Sequence, residues 1–333
     1  MMKIPTLLFL VPVLLFATTL FTAEPPLVTG VAPTPRNFPR HTGADVEAMF
    51  KQSAEVGSVA VFTYQWSQPD FIDIAGKMMA LCRQHKLSAL LALSPTRLDA
   101  RGKLDAPKAL AAKLGGKLSF SEPEIAEEYT RAALELAKLK PAYLCLATEI
   151  NFLALENSRE FLVFAALCRQ IYPKLKAASP ETKVFVSFQW DIARAIDEKE
   201  PAKIAEHTRL IDVFRPALDV IAFTSYPFEI AASPEKLPAD YYDGILKHVG
   251  KDDVIIFPEI GWPSGGKSSE VLQEAFIKRI PALFKKAKPG FIAWSLLHDV
   301  DIPEFSVNLG STGLLTGKGS AKPGLAAFKA LNR

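Results

Sequence analysis

The sequence predicts an α/β fold, a single (β/α)8 TIM barrel that spans residues 24–333. Eight short apolar runs alternate with connecting segments of mainly helical periodicity, which is typical of a parallel sheet. Eight such units are the number that closes a sheet into a barrel. A doubly wound sheet is the weaker alternative, because no glycine-rich phosphate loop follows the first strand. The 333 residues, 49% of them hydrophobic, suit one large domain of this kind.

The predicted strands are apolar, often β-branched runs that end in polar or turn residues. In chain order they are 27–32, 58–64, 87–93, 143–147, 183–188, 218–223, 254–257 and 290–293. Segments 45–55, 72–85, 124–139 and 158–178 have helical patterns, and helical residues also run on to Phe214 after the fifth strand. Segments 241–249 and 270–286 lead to the seventh and eighth strands. Pro123 marks the start of one helix, since proline is favoured in a first turn. Residues 98–122 are predicted to be a basic loop that could cover part of the barrel mouth.

Residues 1–23 are predicted to be a secretory signal peptide. Lys3 gives a positive start, residues 7–20 are largely apolar, and small residues follow. Phe21 makes cleavage after Ala23 unfavourable, so an uncleaved anchor is the alternative, although this apolar segment is short for a membrane span. The expected location of the protein is therefore secreted or periplasmic.

Composition argues against several classes of partner. The formal net charge of +3 is too small to indicate a nucleic-acid or membrane-surface partner. Cys82, Cys145 and Cys168 lie in apolar patterns and are predicted to be buried free thiols. Neither the cysteines nor the histidines show metal-ligand spacing, so no metal and no cofactor is expected.

All four tryptophans of the chain lie at or just past the ends of predicted strands. Trp66, Trp190, Trp262 and Trp294 follow the second, fifth, seventh and eighth strands, and Tyr64 lies beside the first of them. Flat aromatic faces with a free indole N–H suit a sugar, which presents C–H faces and hydroxyls together. One such residue can instead cap the barrel core. Four together predict a carbohydrate-binding mouth.

Two glutamates directly end predicted strands. Glu149 follows the fourth strand and Glu259 the seventh, on opposite sides of an eight-stranded ring. Retaining glycoside hydrolysis needs two carboxyl groups about 5 to 5.5 Å apart. One is protonated and donates to the leaving oxygen, while the other is ionised and attacks the anomeric carbon. A structural ion pair with a loop arginine is the alternative role for either glutamate alone.

Three motifs resemble those of clan A retaining glycoside hydrolases, nearest to family 17 and family 53-like glycosidases. FPEIGWPS around Glu259 resembles the nucleophile strand, LCLATEINFL around Glu149 the acid/base strand, and TSYP around Tyr226 the sixth-strand motif. The resemblance implies Glu259 as nucleophile, Glu149 as general acid and then base, and Tyr226 as the residue that orients Glu259. It also implies Trp294 as the floor of the subsite for the attacked sugar.

One position departs from that clan, which usually has asparagine directly before the acid/base to bind the sugar 2-hydroxyl. Here the residue is Thr148, so Asn151 or a water could take the role, or the 2-position is recognised differently. Gln189 and Asp191, at the end of the fifth strand, are further candidates for binding hydroxyls. Other loop residues that could bind hydroxyls or an acidic sugar are Arg36, Gln65, Arg97, His298, Asp299 and Asp301.

The sequence therefore predicts a retaining β-glycoside hydrolase that acts on a polysaccharide or oligosaccharide by a two-carboxylate double displacement. A catalytically inactive carbohydrate-binding TIM barrel is the alternative, and Thr148 favours it. A membrane-anchored scaffold is a third hypothesis, which requires the four tryptophans to be buried.

Overall fold

The computed structural model describes residues 27–199, 210–303 and 305–332. The predicted signal peptide, residues 1–23, lies outside these described residues. Within them, no helix combines the length and the apolar character needed to cross a membrane.

The described residues form one sheet of parallel strands. These are β1 Thr29–Val31, β2 Val59–Gln65, β3 Ser88–Ser94, β4 Tyr143–Cys145, β5 Lys183–Phe185, β6 Ser187–Gln189, β7 Ile221–Ser225, β8 Ile255–Ile260 and β9 Ile292–Trp294. Their order is β5-β4-β3-β2-β1-β9-β8-β7-β6. Only Val186 separates β5 from β6, so the two are segments of one barrel strand. Its first segment, β5, pairs with β4, and its second, β6, pairs with β7. With β5 and β6 counted as one strand, the sheet is a nearly closed barrel of eight strands, which confirms the predicted fold class.

Helices lie in most of the connections between the barrel strands. They are α1 Gly43–Val56, α2 Phe71–Gln84, α3 Lys108–Lys113, α4 Pro123–Lys138, α5 Asn151–Glu156, α6 Ser158–Ala178, α7 Trp190–Lys199, α8 Glu270–Leu283, α9 Val307–Gly310 and α10 Pro323–Lys329. Short 3-10 turns are Pro227–Glu229, Pro234–Lys236, Asp243–Lys247 and Ala330–Asn332. One expectation was wrong in detail, because the predicted loop 98–122 contains α3. The segment 241–249, which leads to β8, contains a short 3-10 turn.

Side chains on each strand alternate between the barrel interior and the helix layer. On β2, Val59 and Val61 belong to the interior cluster, whereas Ala60 and Phe62 pack toward the helices. Other interior residues are Leu90, Ala92, Cys145, Phe185, Ala222, Ile256 and Ala293. The three cysteines are buried and free, as predicted.

The inward-facing rows become polar toward the carboxyl ends of the strands. By the two-residue period, Ser94 continues the row of Ala92, Thr224 that of Ala222, and Ser295 that of Ala293. All three polar residues are buried. The apolar interior therefore ends in a ring of hydrogen-bonding groups at the mouth, where TIM-barrel sites lie.

Candidate active site

A bulge in β8 turns Glu259 toward the barrel interior. The register along β7 and β8 passes from Ala222 opposite Ile256 to Thr224 opposite Glu259, so β8 holds one extra residue. Pro258 lies in that irregular stretch and has no N–H for the strand ladder. Without the extra residue, strict alternation would point Glu259 at the helices. With it, Glu259 shares the face of Thr224.

Glu149 is positioned by an unusual backbone conformation just after β4. Its φ is 53°, in the left-handed region that non-glycine residues rarely adopt. The N–H of Glu149 donates to Oγ of Ser187 at 3.1 Å, and the N–H of Ile150 donates to the Ser187 carbonyl at 2.9 Å. Thr224 Oγ1 donates to Oε1 of Glu149 at 2.8 Å. These contacts hold the largely buried carboxylate over the barrel interior.

A cavity of about 160 Å³ lies at this end of the barrel, and both glutamates line it. Its other polar lining residues are Arg101, Gln189, Tyr226, Glu229, Ser295 and Thr312. Its apolar lining residues are Leu98, Phe152, Leu296, Phe305 and Leu309. The structure thus brings together Glu149, Glu259, Tyr226 and Gln189 from the set predicted by the sequence.

The two carboxyl groups interact electrostatically. Burial, and next the negative charge of Glu149, raise the pKa of Glu259 to about 7. A hydrogen bond from the hydroxyl of Tyr226 to Oε1 of Glu259 and the charge of Arg101 act in the opposite direction. Burial and both carboxylates raise the pKa of Tyr226 well above its usual value, so the phenol remains a donor. The pair can therefore hold one proton between two carboxyl groups near neutral pH.

Arg101 is a member of this site that sequence reasoning missed. Its Nε lies 3.4 Å from Oε2 of Glu149, and its Nη1 donates to Oγ1 of Thr148 at 3.1 Å. Thr148 in turn donates to Oγ of Ser94 at 3.3 Å. Nothing in the sequence separated Arg101 from Arg97 in the same loop, whose guanidinium pairs with a neighbouring aspartate at the surface.

Asp191 supports the site from behind the cavity. Its carboxylate is fully buried and accepts from Oγ of Ser225 at 2.9 Å, from the N–H of Tyr226 and from the hydroxyl of Tyr241. Nε2 of Gln189 also donates to it, at 2.9 Å. Burial raises the pKa of Asp191 to about 6, and the hydrogen bonds from Tyr241, Tyr226 and Ser225 oppose the shift. Asp191 therefore positions two residues that line the cavity, although the sequence predicted it as a ligand contact.

Neither candidate to replace the clan's asparagine lines the cavity. Asn151 is 1% exposed, and its amide exchanges hydrogen bonds of 3.0 and 2.8 Å with the backbone of Gln189. The hydroxyl of Thr148 is engaged by Arg101 and Ser94. Both predicted contacts are thus structural, because their polar groups are already satisfied inside the protein. Among the described residues, no cluster of His, Cys, Asp and Glu could hold a metal ion.

The four tryptophans, which were predicted to line the barrel mouth, are buried in the core instead. Trp66, Trp190, Trp262 and Trp294 are each at most 1% exposed, and none lines the cavity. Tyr64 is likewise buried. The reason is strand alternation, since residues next to an inward-facing side chain point toward the helices. Aromatic partners of the four indoles are Phe120, Phe223, Phe276 and Phe328.

This burial predicts a stability role for Trp66. Its ring packs against Phe120 and Tyr129 at centroid distances of 6.1 and 5.1 Å. We expect Trp66→Ala to lower the free energy of unfolding by about 3–5 kcal/mol and Trp66→Phe by much less, measured by urea denaturation. Wild-type stability of Trp66→Ala would show that the ring is not part of the core.

The fold is similar to that of several solved glycoside hydrolase barrels. A GH5_18 protein from Streptomyces cattleya, solved in complex with Manb1-4GlcNAc, superposes with a TM-score of 0.72 at 16% identity over 92% of this chain and 80% of its own. GH5_18 from Bifidobacterium longum subsp. longum gives 0.70 at 17% identity over 92% and 78%. The GH53 catalytic domain of Ignisphaera aggregans gives 0.61 at 17% over 93% and 92%.

These likenesses show the barrel fold. No family model and no curated protein matches the chain. A nearest resemblance to families 17 and 53 therefore stays a prediction, and so do the catalytic roles of the individual side chains.

Proposed function

We propose that this protein is a retaining β-glycoside hydrolase that acts on a polysaccharide or oligosaccharide by double displacement. The observation that carries the proposal is the convergence of Glu149 and Glu259 on one cavity at the carboxyl ends of the strands. A hydroxyl donor on Glu259, supplied by Tyr226, and the electrostatic interaction between the two carboxyl groups support it further. Perturbed carboxyl pairs of this kind are typical of acid/base sites.

The chemistry follows from these positions. In the first step the carboxylate of Glu259 bonds to the anomeric carbon, the glycosidic C–O bond breaks, and Glu149 gives its proton to the departing oxygen. In the second step Glu149 takes a proton from water, which displaces Glu259 from the anomeric carbon with overall retention. The hydrogen bond from Tyr226 engages Oε1 of Glu259, which leaves the other oxygen for attack.

The size and lining of the cavity support a small sugar unit at the reaction centre. About 160 Å³ is well below the roughly 300 to 1,000 Å³ of typical small-molecule sites. Gln189 and Ser295 offer donors and acceptors for sugar hydroxyls. Because one structural neighbour was solved with Manb1-4GlcNAc, β-mannosides belong among the first substrates to test.

The test is hydrolysis by the purified chain. We expect release of reducing sugar from at least one member of a panel of β-linked gluco-, galacto- and manno-oligosaccharides that includes Manb1-4GlcNAc. A Glu259→Gln variant purified in parallel controls for contaminating activity. Failure of the wild type to cleave any member, with correct folding shown by circular dichroism, would contradict the proposal.

A specific observation favours a second candidate, a carbohydrate-binding barrel without catalysis. Arg101 places a cation 3.4 Å from Oε2 of Glu149, the residue that must donate a proton. Calorimetry separates the two candidates. Binding of an oligosaccharide from the panel without any cleavage would support the second candidate and exclude the first.

Gly261 supplies a structural prediction for the proposed reaction. A Cβ at this position would lie 2.6 Å from Oγ of Ser295 and 2.8 Å from Cε1 of Tyr226, both in the cavity wall. We therefore expect Gly261→Ala to displace Tyr226, to lower kcat at least 10-fold, and to destabilise the protein by about 1–3 kcal/mol. Gly76→Ala is the matched control, since a Cβ at Gly76 in α2 meets nothing within 4 Å. Equal activity of both variants would contradict this packing.

We also propose that the protein is secreted or periplasmic, on the basis of the charged start and apolar stretch of residues 1–23. The mass of the mature N-terminus after expression in the native host tests this proposal. A chain that retains Met1 and stays in the soluble cytoplasmic fraction would contradict it.

A further inference from the structure

Arg101 is held against the proposed catalytic pair by a well-defined loop. An antiparallel bridge between Thr96 and Leu104 closes this loop at its base. At its tip, a Cβ on Gly102 would lie 2.5 Å from Cβ of Glu156, so the glycine allows the loop to press directly on α5. The side chain of Arg101 is only 20% exposed and lines the cavity. Its position is therefore built into the fold.

The contacts of the two glutamates differ in a way that matters for the proposed reaction. Glu149 receives the Arg101 guanidinium and the Thr224 hydroxyl, which both stabilise a carboxylate. Glu259 receives the weaker, neutral donor of Tyr226. The direct contact with a cation is therefore on Glu149, the residue that must carry a proton in double displacement, and not on Glu259, the residue that must be ionised.

We propose that Arg101 is a positioning residue that decides which of the two glutamates carries the shared proton. Its contact with Glu149 keeps the free protein in the charge state opposite to the one that catalysis requires. Productive substrate binding then moves the guanidinium off Glu149, and one proton passes from Glu259 to Glu149 with no net change in charge. This role rests on the proposed hydrolase function, but the charge distribution itself does not.

The other charged residues that line the cavity are acidic, so none of them can take the role of Arg101. It is the single cationic side chain among the described residues that line the cavity. The groups that face it are Glu149, Glu259 and Glu229, with the neutral phenol of Tyr226. Burial and the charges of Asp191 and Glu149 raise the pKa of Glu229, which marks a negative potential at that wall. No second cation in this lining would replace Arg101 if it were removed.

A direct test observes the charge state of each glutamate without any substrate. Carbon-13 NMR of carboxyl-labelled glutamate at pH 6, assigned with Glu149→Gln and Glu259→Gln variants, reports whether each group is ionised. In the wild type and in Arg101→Lys we expect an ionised Glu149 and a protonated Glu259. In Arg101→Gln we expect the proton to be shared or to move to Glu149. Arg97→Gln, in the same loop but outside the cavity, is the matched control and should equal the wild type.

Two results would overturn the proposal. One is a protonated Glu149 in the wild type at pH 6. The other is an unchanged charge distribution in a folded Arg101→Gln variant. Both readings are independent of hydrolysis, so they remain decisive even if the panel of oligosaccharides shows no activity.

If hydrolysis is found, the pH profile provides a second test. The positive charge of Arg101 favours ionisation of the carboxyl pair as a whole, so Arg101→Gln makes the loss of the first proton from the pair less favourable, whichever glutamate keeps the remaining proton, and moves the acidic limb of kcat/KM to higher pH. A displacement of one pH unit corresponds to about a 10-fold loss on that limb. Arg101→Lys should restore most of the wild-type profile, and identical profiles for Arg101→Gln and the wild type would count against the role.

Discussion

Replacement of Glu259 by glutamine is expected to reduce hydrolysis about 10⁴-fold or more. Glutamine keeps the shape of the side chain but cannot form the glycosyl ester, so the first step of double displacement is lost. The rate is measured as nitrophenol release from nitrophenyl β-glycosides that match the best substrate of the panel. Glu55→Gln, an exposed glutamate that pairs with Lys329 far from the cavity, should retain wild-type activity. A Glu259→Gln variant with undiminished turnover would refute the nucleophile role.

Replacement of Glu149 by glutamine is expected to produce a loss that depends on the leaving group. Proton donation contributes about 10²- to 10⁴-fold, and this contribution matters most when the departing oxygen is a poor leaving group. We therefore expect a large fall in kcat/KM for an alkyl or sugar leaving group, and a much smaller fall for dinitrophenolate, which needs no proton. Equal losses for both substrates would contradict the role of Glu149 as general acid.

The same Glu259→Gln variant is expected to be more stable than the wild type above neutral pH. Glu259 has a folded-state pKa of about 7 against the ordinary 4.5, so the folded protein binds the proton more tightly than the unfolded chain. Its contribution to stability is present at low pH and is lost as pH rises from about 4.5 through 7. Glutamine is neutral throughout and avoids this loss. Thermal melts should show a higher Tm for the variant at pH 8 and a smaller difference at pH 5.

A gain in stability on removal of a buried charged group is typical of active sites. Two buried carboxyl groups close enough to perturb each other destabilise a fold, and removal of one often increases stability while it removes function. A lower Tm of Glu259→Gln at pH 8 would indicate that Glu259 instead has a favourable structural role.

The sequence contained enough information to place the two glutamates, but not to orient the residues around them. Glu149 and Glu259 follow apolar strands, and parallel strands of a barrel deliver their ends to one mouth. The inward direction of Glu259, however, depends on the extra residue that β8 accommodates near Pro258. A shift of one residue reverses the face of every side chain on a strand.

The same sensitivity explains the tryptophans. Trp294 follows the inward-facing Ala293 and therefore points toward the helices, where it packs against Phe276 and Phe328. Position at a strand end could be predicted from the sequence, whereas the face could not be fixed without the register. Residues next to the barrel mouth are equally able to serve the core or a ligand.

Sequence patterns could not predict the contacts that loops make around the barrel mouth. Arg101 reaches Glu149 across 48 positions of the chain, and Gln189 satisfies Asn151 across 38. Neither pairing leaves a periodic signal, because each depends on how the loops and strands come together around the mouth. Thr148, the position that departs from the clan pattern, accepts a hydrogen bond from Arg101, a contact that the sequence did not predict.

Trapping of the covalent intermediate identifies the glutamate that bonds to the sugar. A 2-deoxy-2-fluoro β-glycoside with a good leaving group, matched to the preferred sugar, slows the second step and lets the glycosyl ester accumulate. Intact mass should rise by one fluorosugar, and peptide mapping should place the ester on Glu259. An adduct on Glu149, or turnover of the natural substrate with inverted stereochemistry and no adduct, would contradict double displacement through Glu259.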